Sequence, residues 1–317
     1  MDSATVYYVG IDVAKRQLVI AVRPTGECWT TANLPRAYPA LVRRLLALRP
    51  THIIVEATGR FHQPLARALA HAGLPIRVAN PRHTRSFASA LGRLAKTDAI
   101  DAHVLAHFAE VLPFDARPPL DEEAQALREL VGHRRQLVKD HTVQSNRLSA
   151  GCRGLPARQL RQHLRFLERQ LAAVEEALQQ ALRDPRWAAR ADALRSIPGI
   201  GEQSVVALLT ELPELGQISG KQLAALVGVA PLNRDSGAFR GARTTHGGRR
   251  ALRCTLFMAA LAAIRCNADI RVFYQRLLAA GRPKRVALIA ALRKLLLLAN
   301  AVVREQRAWR PALPAAA

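Results

Sequence analysis

Two short apolar runs near the start of the chain each lead to a carboxylate: VGIDV, residues 9–13, and IIVEATG, residues 53–59. Both runs are rich in β-branched residues, which predicts strands. Asp12 and Glu56 therefore stand at strand ends. An acid there contributes little to folding, but the strand ends of an α/β sheet are where functional sites assemble.

A third acidic stretch, KTDAIDA at residues 96–102, follows these strands. It predicts the start of a helix that carries Asp98 and Asp101 on one face, because they are three residues apart. The helix dipole favours negative charge at this end. Asp101 could therefore be a first-turn helix acid and nothing more.

The elements around these acids have the order β-β-β-α-β-α-β-α, and the helix at 98–111 follows as the last. We predict strands at residues 6–12, 17–22, 28–33, 52–56 and 74–79, and helices at 39–48, 61–72, from 81 onward, and at 98–111. A strand Asp, a later strand Glu and a helical Asp-x-x-Asp on this frame are typical of ribonuclease-H-like (RuvC-like) nucleases, including Holliday-junction resolvases. The predicted fold class of the N-terminal part is thus α/β and ribonuclease-H-like.

Four carboxylates at one point would repel one another unless cations lay between them. Hard oxygen ligands select Mg²⁺ or Mn²⁺. Two such ions ~3.5–4 Å apart can activate one oxygen and stabilise the leaving one during phosphodiester cleavage. We therefore predict that Asp12, Glu56, Asp98 and Asp101 are catalytic ligands of two metal ions.

The middle of the chain has a different periodicity. Residues 160–181 carry apolar side chains spaced alternately four and three apart, which is a coiled-coil seam. A helix is also predicted at 121–149, so the two form an antiparallel hairpin. That hairpin either closes within one chain or also dimerises, since heptads alone do not fix the partner.

The last part is predicted to be mainly helical, with helices at 194–209, 223–229, 251–265, 269–280 and 284–306. The sequence IPGIG, residues 197–201, resembles a helix-hairpin-helix turn that binds phosphate through backbone N–H groups, or is an ordinary turn between helices. We therefore predict three domains: a catalytic domain at 1–117, a coiled-coil hairpin at 118–188 and a strongly basic domain at 189–317.

The charge indicates a polyanionic partner. The chain has 317 residues, 47 Lys and Arg against 24 Asp and Glu, and a net charge of +23. Residues 218–317 alone hold 18 basic and three acidic residues, a net charge of +15. A hydrophobic content of 50% excludes a disordered basic tail.

The cellular compartment is predicted from the cysteines and the apolar segments. Four Cys without a C-x-x-C pair fit a reduced, cytoplasmic location. No signal peptide is predicted at the N-terminus. A membrane span at 286–303 is not expected, because Arg293 and Lys294 interrupt this run.

Ser236 lies in the sequence NRDSG, residues 233–237, within the basic region. A Ser-Gly pair in a loop is usually a turn. Here the hydroxyl could instead face a phosphate and form a phosphoserine link that holds a cut strand. Around it we predict nucleic-acid contacts by Arg240, Arg243, Arg249, Arg250 and Arg253. Lys15 and Lys96 flank the acids and either contact the scissile phosphate or are solvated counter-charges.

The chain resembles the DEDD transposases of the IS110 insertion-sequence family from about Tyr8 to Arg307. The closer likeness is to its seek-RNA subgroup, through GGRRALR at 247–253, MAAL at 258–261, FYQRL at 273–277 and LRKLL at 292–296. The resemblance places the family's four acids on Asp12, Glu56, Asp98 and Asp101. It places the family's catalytic serine on Ser236.

The resemblance implies a site-specific recombinase that excises and inserts its element through a circular double-stranded intermediate. It implies guidance by a structured bridge or seek RNA that pairs with donor and target DNA. It also implies dimers that assemble into tetramers, with the acids of one protomer facing the serine of another. From this we expect a cytoplasmic enzyme that associates with the nucleoid when it acts and has no membrane partner.

Three alternatives to this recombinase fit parts of the sequence. A stand-alone structure-specific nuclease would share the acids and not need Ser236. An actin-like kinase would explain Gly10-Ile-Asp12 after a strand, but no second glycine-rich phosphate loop is present. A non-catalytic nucleic-acid-binding protein would explain the charge but not the four ordered acids.

Overall fold

The computed structural model describes residues 5–93, 95, 97–111, 122–233, 235–236, 239–241 and 243–311, with only the backbone of Phe239 and Arg240. The chain divides into two compact units, residues 1–121 and 122–317. The predicted hairpin falls in the second unit. The finer division into three domains stays a prediction.

The first unit is built on a five-stranded sheet. Its strands are β1 (Tyr8–Val13), β2 (Gln17–Arg23), β3 (Cys28–Ala32), β4 (His52–Glu56) and β5 (Ile76–Ala79). They lie in the order β3-β2-β1-β4-β5. The first three form an antiparallel meander, whereas β1, β4 and β5 are parallel. The five strands are those that the sequence predicts along the chain. Their order within the sheet was not predicted.

In the described part of the first unit, four α-helices accompany the sheet: α1 (Tyr38–Leu48), α2 (Gln63–His71), α3 (Pro81–Ala90) and α4 (Asp98–Val111). A short 3₁₀ helix, Pro35–Ala37, precedes α1. Leu45 of α1 and Leu65 of α2 are fully buried against one face of the sheet. Leu105 of α4 packs with Ile54 on the opposite face. The sheet is therefore covered on both faces, which explains its nearly continuous apolar strands.

Helix α4 lies unusually close to β1 because β1 contains Gly10. A Cβ atom added to Gly10 would lie 2.2 Å from the carbonyl oxygen of Ala102 and 2.2 Å from the amide nitrogen of Ala106. Ala102 and Ala106 are themselves fully buried. Small residues on both elements thus let the helix backbone contact the strand backbone directly.

The second unit is almost entirely helical. Its elements are α5 (Glu122–Ser149), α6 (Gly154–Ala181), α7 (Pro185–Arg195), α8 (Glu202–Glu211), α9 (Gly220–Val227), β6 (Asp235–Ser236), β7 (Phe239–Arg240), α10 (Arg250–Cys266), α11 (Ala268–Ala279) and α12 (Lys284–Glu305). One apolar core joins the base of the hairpin to the last three helices. The short β6–β7 hairpin has no counterpart in the sequence predictions.

The predicted helical hairpin is confirmed within one chain. Helices α5 and α6 pack along each other, and the seam residues Leu160, Leu167 and Val174 are buried. Arg134 of α5 donates to Glu175 of α6 at 2.7 Å. Dimerisation through this hairpin stays a prediction.

The predicted turn at IPGIG, residues 197–201, is confirmed. The single helix predicted at 194–209 is wrong, because this turn divides it between α7 and α8. Gly199 has φ +99° and lies so close to the backbone of Ala263 that an added Cβ would be 2.6 Å from the α-carbon of Ala263. Asn267, fully buried, donates to the carbonyl of Pro198 at 3.3 Å. The turn therefore ends α7, and its contacts with Ala263 of α10 and with Asn267, directly after α10, hold it in place. Its binding to phosphate stays a prediction.

Helix α12 is long and apolar enough to cross a membrane by length and composition alone. More than half of its apolar window is buried inside the protein. Leu292, Leu295 and Leu296 are almost fully buried in the core of the second unit. The helix therefore behaves as the core helix of a globular unit.

Gly10→Ala should destabilise the protein by roughly 1–3 kcal/mol or more, because the added methyl group overlaps the α4 backbone. The matched control is Gly132→Ala, in the interior of α5, where an added Cβ meets nothing within 4 Å. That change should stabilise by up to about 1 kcal/mol. Urea denaturation measures both, and equal effects of one sign would contradict the close approach of β1 and α4.

Candidate active site

Asp12 and Glu56 stand side by side at the ends of neighbouring parallel strands. The last paired residues of β1 and β4 are Ile11 and Val55, and the two acids follow them directly. Paired strands lie about 4.8 Å apart. Side chains alternate along a strand, so Asp12 shares the face of Gly10, on which α4 lies. The register thus directs both acids toward α4.

Asp98 and Asp101 occupy the first turn of α4. Thr97 accepts a hydrogen bond from the Ile100 N–H through Oγ1 at 3.2 Å, which caps this helix end. Asp98 is exposed and accepts from Nε2 of Gln17, at the start of β2, at 3.0 Å. Asp101 is half-buried. The capped helix start therefore presents two carboxylates beside the sheet.

The electrostatics of Asp12 show that the four acids act on one another. The pKa of Asp12 is raised to about 6, mainly because burial disfavours its charged form. The negative charges of Asp98, Asp101 and Glu56 add to this effect, in that order. The predicted acids are thus brought into one negative field, with Asp12 inside it.

Thr84 of α3 fixes the position of Glu56. Its hydroxyl donates to Oε2 of Glu56 at 2.6 Å, and the residue is only 3% exposed. A short bond to a carboxylate is stronger than one between neutral groups. Sequence reasoning missed Thr84, because a single Thr inside a polar helix carries no signal of its partner.

The donor chemistry of this site fits hard divalent cations, since all four side chains are carboxylates. Burial, and after it the charges of the other three acids, raises the pKa of Asp12. Among the described residues, no three His, Cys, Asp or Glu side chains are gathered closely enough to hold an ion as they stand. Hydrogen bonds from Gln17 and Thr84 hold Asp98 and Glu56 in their present orientations. Coordination of one ion by three of the acids would thus require rotation of these side chains.

The two predicted lysine contacts differ in what the structure shows. Lys15 is exposed in the turn between β1 and β2, three residues after Asp12. Lys96 lies outside the described residues. Both stay predictions as phosphate contacts.

Ser236 lies in the second unit, on β6, where it pairs with Phe239 of β7 and is exposed. Arg243 and Arg250 are exposed nearby in sequence. The side chain of Arg240 lies outside the described part of the chain. Exposure of the serine and of these two arginines is compatible with contacts to a nucleic-acid backbone.

Arg249 and Arg253, also predicted as nucleic-acid contacts, are engaged with the protein itself. Arg249 donates to both carboxylate oxygens of Glu214, at 2.6 and 2.7 Å. Arg253 donates through Nη1 to the carbonyls of Val227, at 3.1 Å, and Gly247. Their guanidinium groups therefore have protein partners that sequence reasoning did not foresee.

Comparison with known families gives two matches. A family model described as "Transposase" matches residues 9–153, and one described as "Transposase IS116/IS110/IS902 family" matches residues 191–275. The first match contains the four acids and the second contains Ser236. The two matched segments lie in the N-terminal and C-terminal parts of the chain.

Individual relatives match over most of their length. A pilin gene-inverting protein of Moraxella bovis is 29% identical over 95% of this chain and 96% of its own length. The pilin gene-inverting protein of Moraxella lacunata gives the same identity and coverage. A probable family 20 transposase of Pseudomonas aeruginosa is 26% identical over 83% of this chain and 87% of its own length.

These matches define the class of the protein as a DNA transposase or recombinase, an enzyme that acts on DNA. More particularly, the chain belongs to the IS110 family of insertion-sequence transposases.

Asp12→Asn should stabilise the metal-free protein at neutral pH. Folding raises the pKa of Asp12 to about 6, so the folded protein binds the proton of the Asp12 carboxyl group more tightly than the unfolded chain does. Binding of this proton stabilises the folded state. That stabilisation is complete below pH ~4 and is lost as the pH rises through ~6. The variant should therefore gain about 1–2 kcal/mol over the wild type between pH 4 and 7, after allowance for solvent screening. Urea denaturation with a chelator measures this, and parallel pH profiles would contradict it.

Thr84→Val should lower recombination roughly 10–100-fold, as loss of a partner that orients a ligand usually does. Thr84→Ser keeps the hydroxyl and should retain most of the activity. The pair is compared in a plasmid recombination assay, with thermal melts to confirm folding. Equal activity of the Val and Ser variants would show that the Glu56 contact is dispensable.

Proposed function

We propose that the first unit is a ribonuclease-H-like (RuvC-like) nuclease domain that cleaves DNA with Asp12, Glu56, Asp98 and Asp101. The observation that carries this proposal is the side-by-side placement of two strand-end acids under the first turn of α4, within one negative field. The strand order β3-β2-β1-β4-β5 supports the fold assignment. Burial of Asp12 and its repulsion by the three other acids both cost stability, so folding alone does not explain why the acids lie together.

The four carboxylates would hold Mg²⁺, or Mn²⁺, as two ions. Such ions supply activation of an attacking oxygen and stabilisation of the departing one. The chain's own contribution is to orient the ligands: Thr84 holds Glu56 and Gln17 holds Asp98. Lys15 and Lys96 would contact the phosphate beside them.

Ser236 is proposed as the nucleophile. Its Oγ forms a bond to phosphorus while the bond from phosphorus to a deoxyribose oxygen breaks. The serine proton is lost, and the departing oxygen takes one up. The resulting phosphoserine link keeps the strand attached, so that a new strand end can displace Ser236 and be joined. Its exposed position on a hairpin in a strongly basic region supports this role.

The partners are proposed from the charge and from the family. We expect double-stranded donor and target DNA, and a structured guide RNA of the bridge or seek type, as in the seek-RNA subgroup. Arg243 and Arg250 would hold the phosphate backbone while base pairing reads the sequence. The active form would be a homodimer that assembles into a tetramer, in the bacterial cytoplasm and on the nucleoid.

A stand-alone structure-specific nuclease is the second candidate. The observation in its favour is that all four acids lie in the first unit, whereas Ser236 lies in the second. Such an enzyme would cleave without joining strands. It would form no covalent link to DNA.

Ser236→Ala should abolish both recombination and a covalent protein–DNA species seen on denaturing gels. Asp12→Asn should lower both at least roughly a hundredfold, because ligand loss removes metal-assisted attack. The substrate is a plasmid that carries the encoding element with its flanks, transcribed in the same reaction. Folding of both variants is checked by thermal melts.

Full recombination by the Ser236→Ala variant would refute the role of Ser236 as nucleophile. A nuclease activity that survives this change without any adduct would establish the second candidate. Sequencing of RNA that co-purifies with the protein tests guidance. A single structured species from beside the gene is expected, and random cellular RNA would contradict it.

A further inference from the structure

Ser236 is carried on an excursion from the helical core between α9 and α10, residues 229–246, which we call the serine arm. In its described part, Leu232 pairs with Thr244, and β6 pairs with β7. The chain enters the arm after α9 and leaves it before α10. How these two ends are held determines where the arm projects.

The two ends of the serine arm are in direct backbone contact through glycines. An added Cβ at Gly228 would lie 2.3 Å from the carbonyl oxygen of Gly247, and one at Gly248 would lie 2.4 Å from the amide nitrogen of Gly228. The N–H of Arg249 donates to the carbonyl of Leu226 at 2.9 Å. No side chain larger than hydrogen fits at this crossing.

Arg253 ties the same two ends together. Its Nη1 donates to the carbonyl of Val227 on the entering end, at 3.1 Å, and to the carbonyl of Gly247 on the leaving end. The carbonyl of Val227 belongs to the C-terminus of α9, where the helix dipole favours a cation. One guanidinium therefore bridges both ends of the arm.

Arg249 fixes the leaving end to a third segment. Its two terminal nitrogens donate to the two carboxylate oxygens of Glu214, which lies between α8 and α9. The side chains of Arg249 and Glu214 are 30% and 14% exposed. A planar two-point pair of this kind fixes orientation as well as distance.

We propose that Arg249 and Arg253 are positioning residues that fix the base of the serine arm, and not contacts to nucleic acid. This inference rests on the proposed role of Ser236. A phosphate would have to displace Glu214 from both terminal nitrogens of Arg249, and two carbonyls from Nη1 of Arg253 if it bound that nitrogen. Among the predicted contacts whose side chains the structure describes, Arg243 and Arg250 are exposed and stay available to the nucleic-acid backbone.

The test is an exchange of charge between Arg249 and Glu214 in the full-length protein. R249E and E214R each break the pair and leave a half-buried charge opposed by a like charge, so each should lower adduct yield about tenfold or more. The double variant R249E/E214R restores an opposite-charge pair and should recover to within about threefold of wild type. A contact to nucleic acid would not be rescued, because R249E repels phosphate whatever stands at 214.

A charge-conserving variant covers the case in which the reversals fail to fold. R249K keeps the positive charge but cannot bind both oxygens of Glu214 at once. Its adduct yield at saturating DNA should fall severalfold, while its half-saturating DNA concentration and its melting temperature stay near those of wild type. Mere loss of stability would instead move the melting temperature.

The matched comparison is R250Q, which removes the adjacent exposed charge. Binding of a random-sequence DNA duplex is measured against salt concentration for R250Q and R249K. R250Q should reduce the salt slope by about 1, as loss of one phosphate contact does. R249K should leave the slope unchanged, and R249E/E214R should leave it within the error of the wild type.

Two results would overturn the proposal: a double variant no better than the worse single variant, or a salt slope that falls in R249E/E214R as it does in R250Q. Failure of the proposed function is distinct from both, because it is detected by full recombination of Ser236→Ala. Hydrogen exchange reports on the base directly. The backbone amide at position 249, which donates to the carbonyl of Leu226, should exchange at least about tenfold faster in each single reversal and return to the wild-type rate in the double variant.

Discussion

The direct backbone contact between β1 and α4 is the constraint on which the candidate active site depends. Gly10 lacks a side chain that would keep α4 away from β1, and Ala102 and Ala106 of α4 are small and buried at the contact. Because α4 is held against β1, its first turn lies over the strand ends that carry Asp12 and Glu56. The pKa of Asp12 records the result, since burial and three neighbouring acids all raise it. Folding thus concentrates negative charge in a chain whose net charge is strongly positive.

The fold of the first unit was predictable because its signals are local. The runs ending at Asp12 and Glu56 alternate or are uniformly apolar, and the structure confirms strands there and a helix at 98–111. The order of the acids along the chain indicated a shared site, and the register of β1 and β4 places two of them together. Helix bounds were harder to predict: the sequence indicated the turn at 197–201, yet the helix predicted at 194–209 ran through it. The positive φ of Gly199 depends on its contact with Ala263, 64 positions away, which no local pattern shows.

Long-range polar partners could not be read from the sequence. Thr84 reaches Glu56 across 28 positions, and Arg249 reaches Glu214 across 35. The sequence predicted five arginines around Ser236 as phosphate contacts without a way to distinguish them. The structure separates them, because Arg249 and Arg253 have protein partners whereas Arg243 and Arg250 are exposed. A basic region thus contains both groups that build the protein and groups that are exposed to a nucleic-acid backbone.

If the four acids form one metal site, they determine how many Mn²⁺ ions the protein binds, which electron paramagnetic resonance measures. The wild-type chain should bind two ions in the presence of DNA, and Asp12→Asn should lose at least one of them. Glu56→Gln should weaken binding by more than the roughly 10–100-fold that loss of an outer-shell partner costs, because Glu56 is itself a proposed ligand. Binding that is unchanged in both variants would contradict the account, because the ions would then lie elsewhere in the protein.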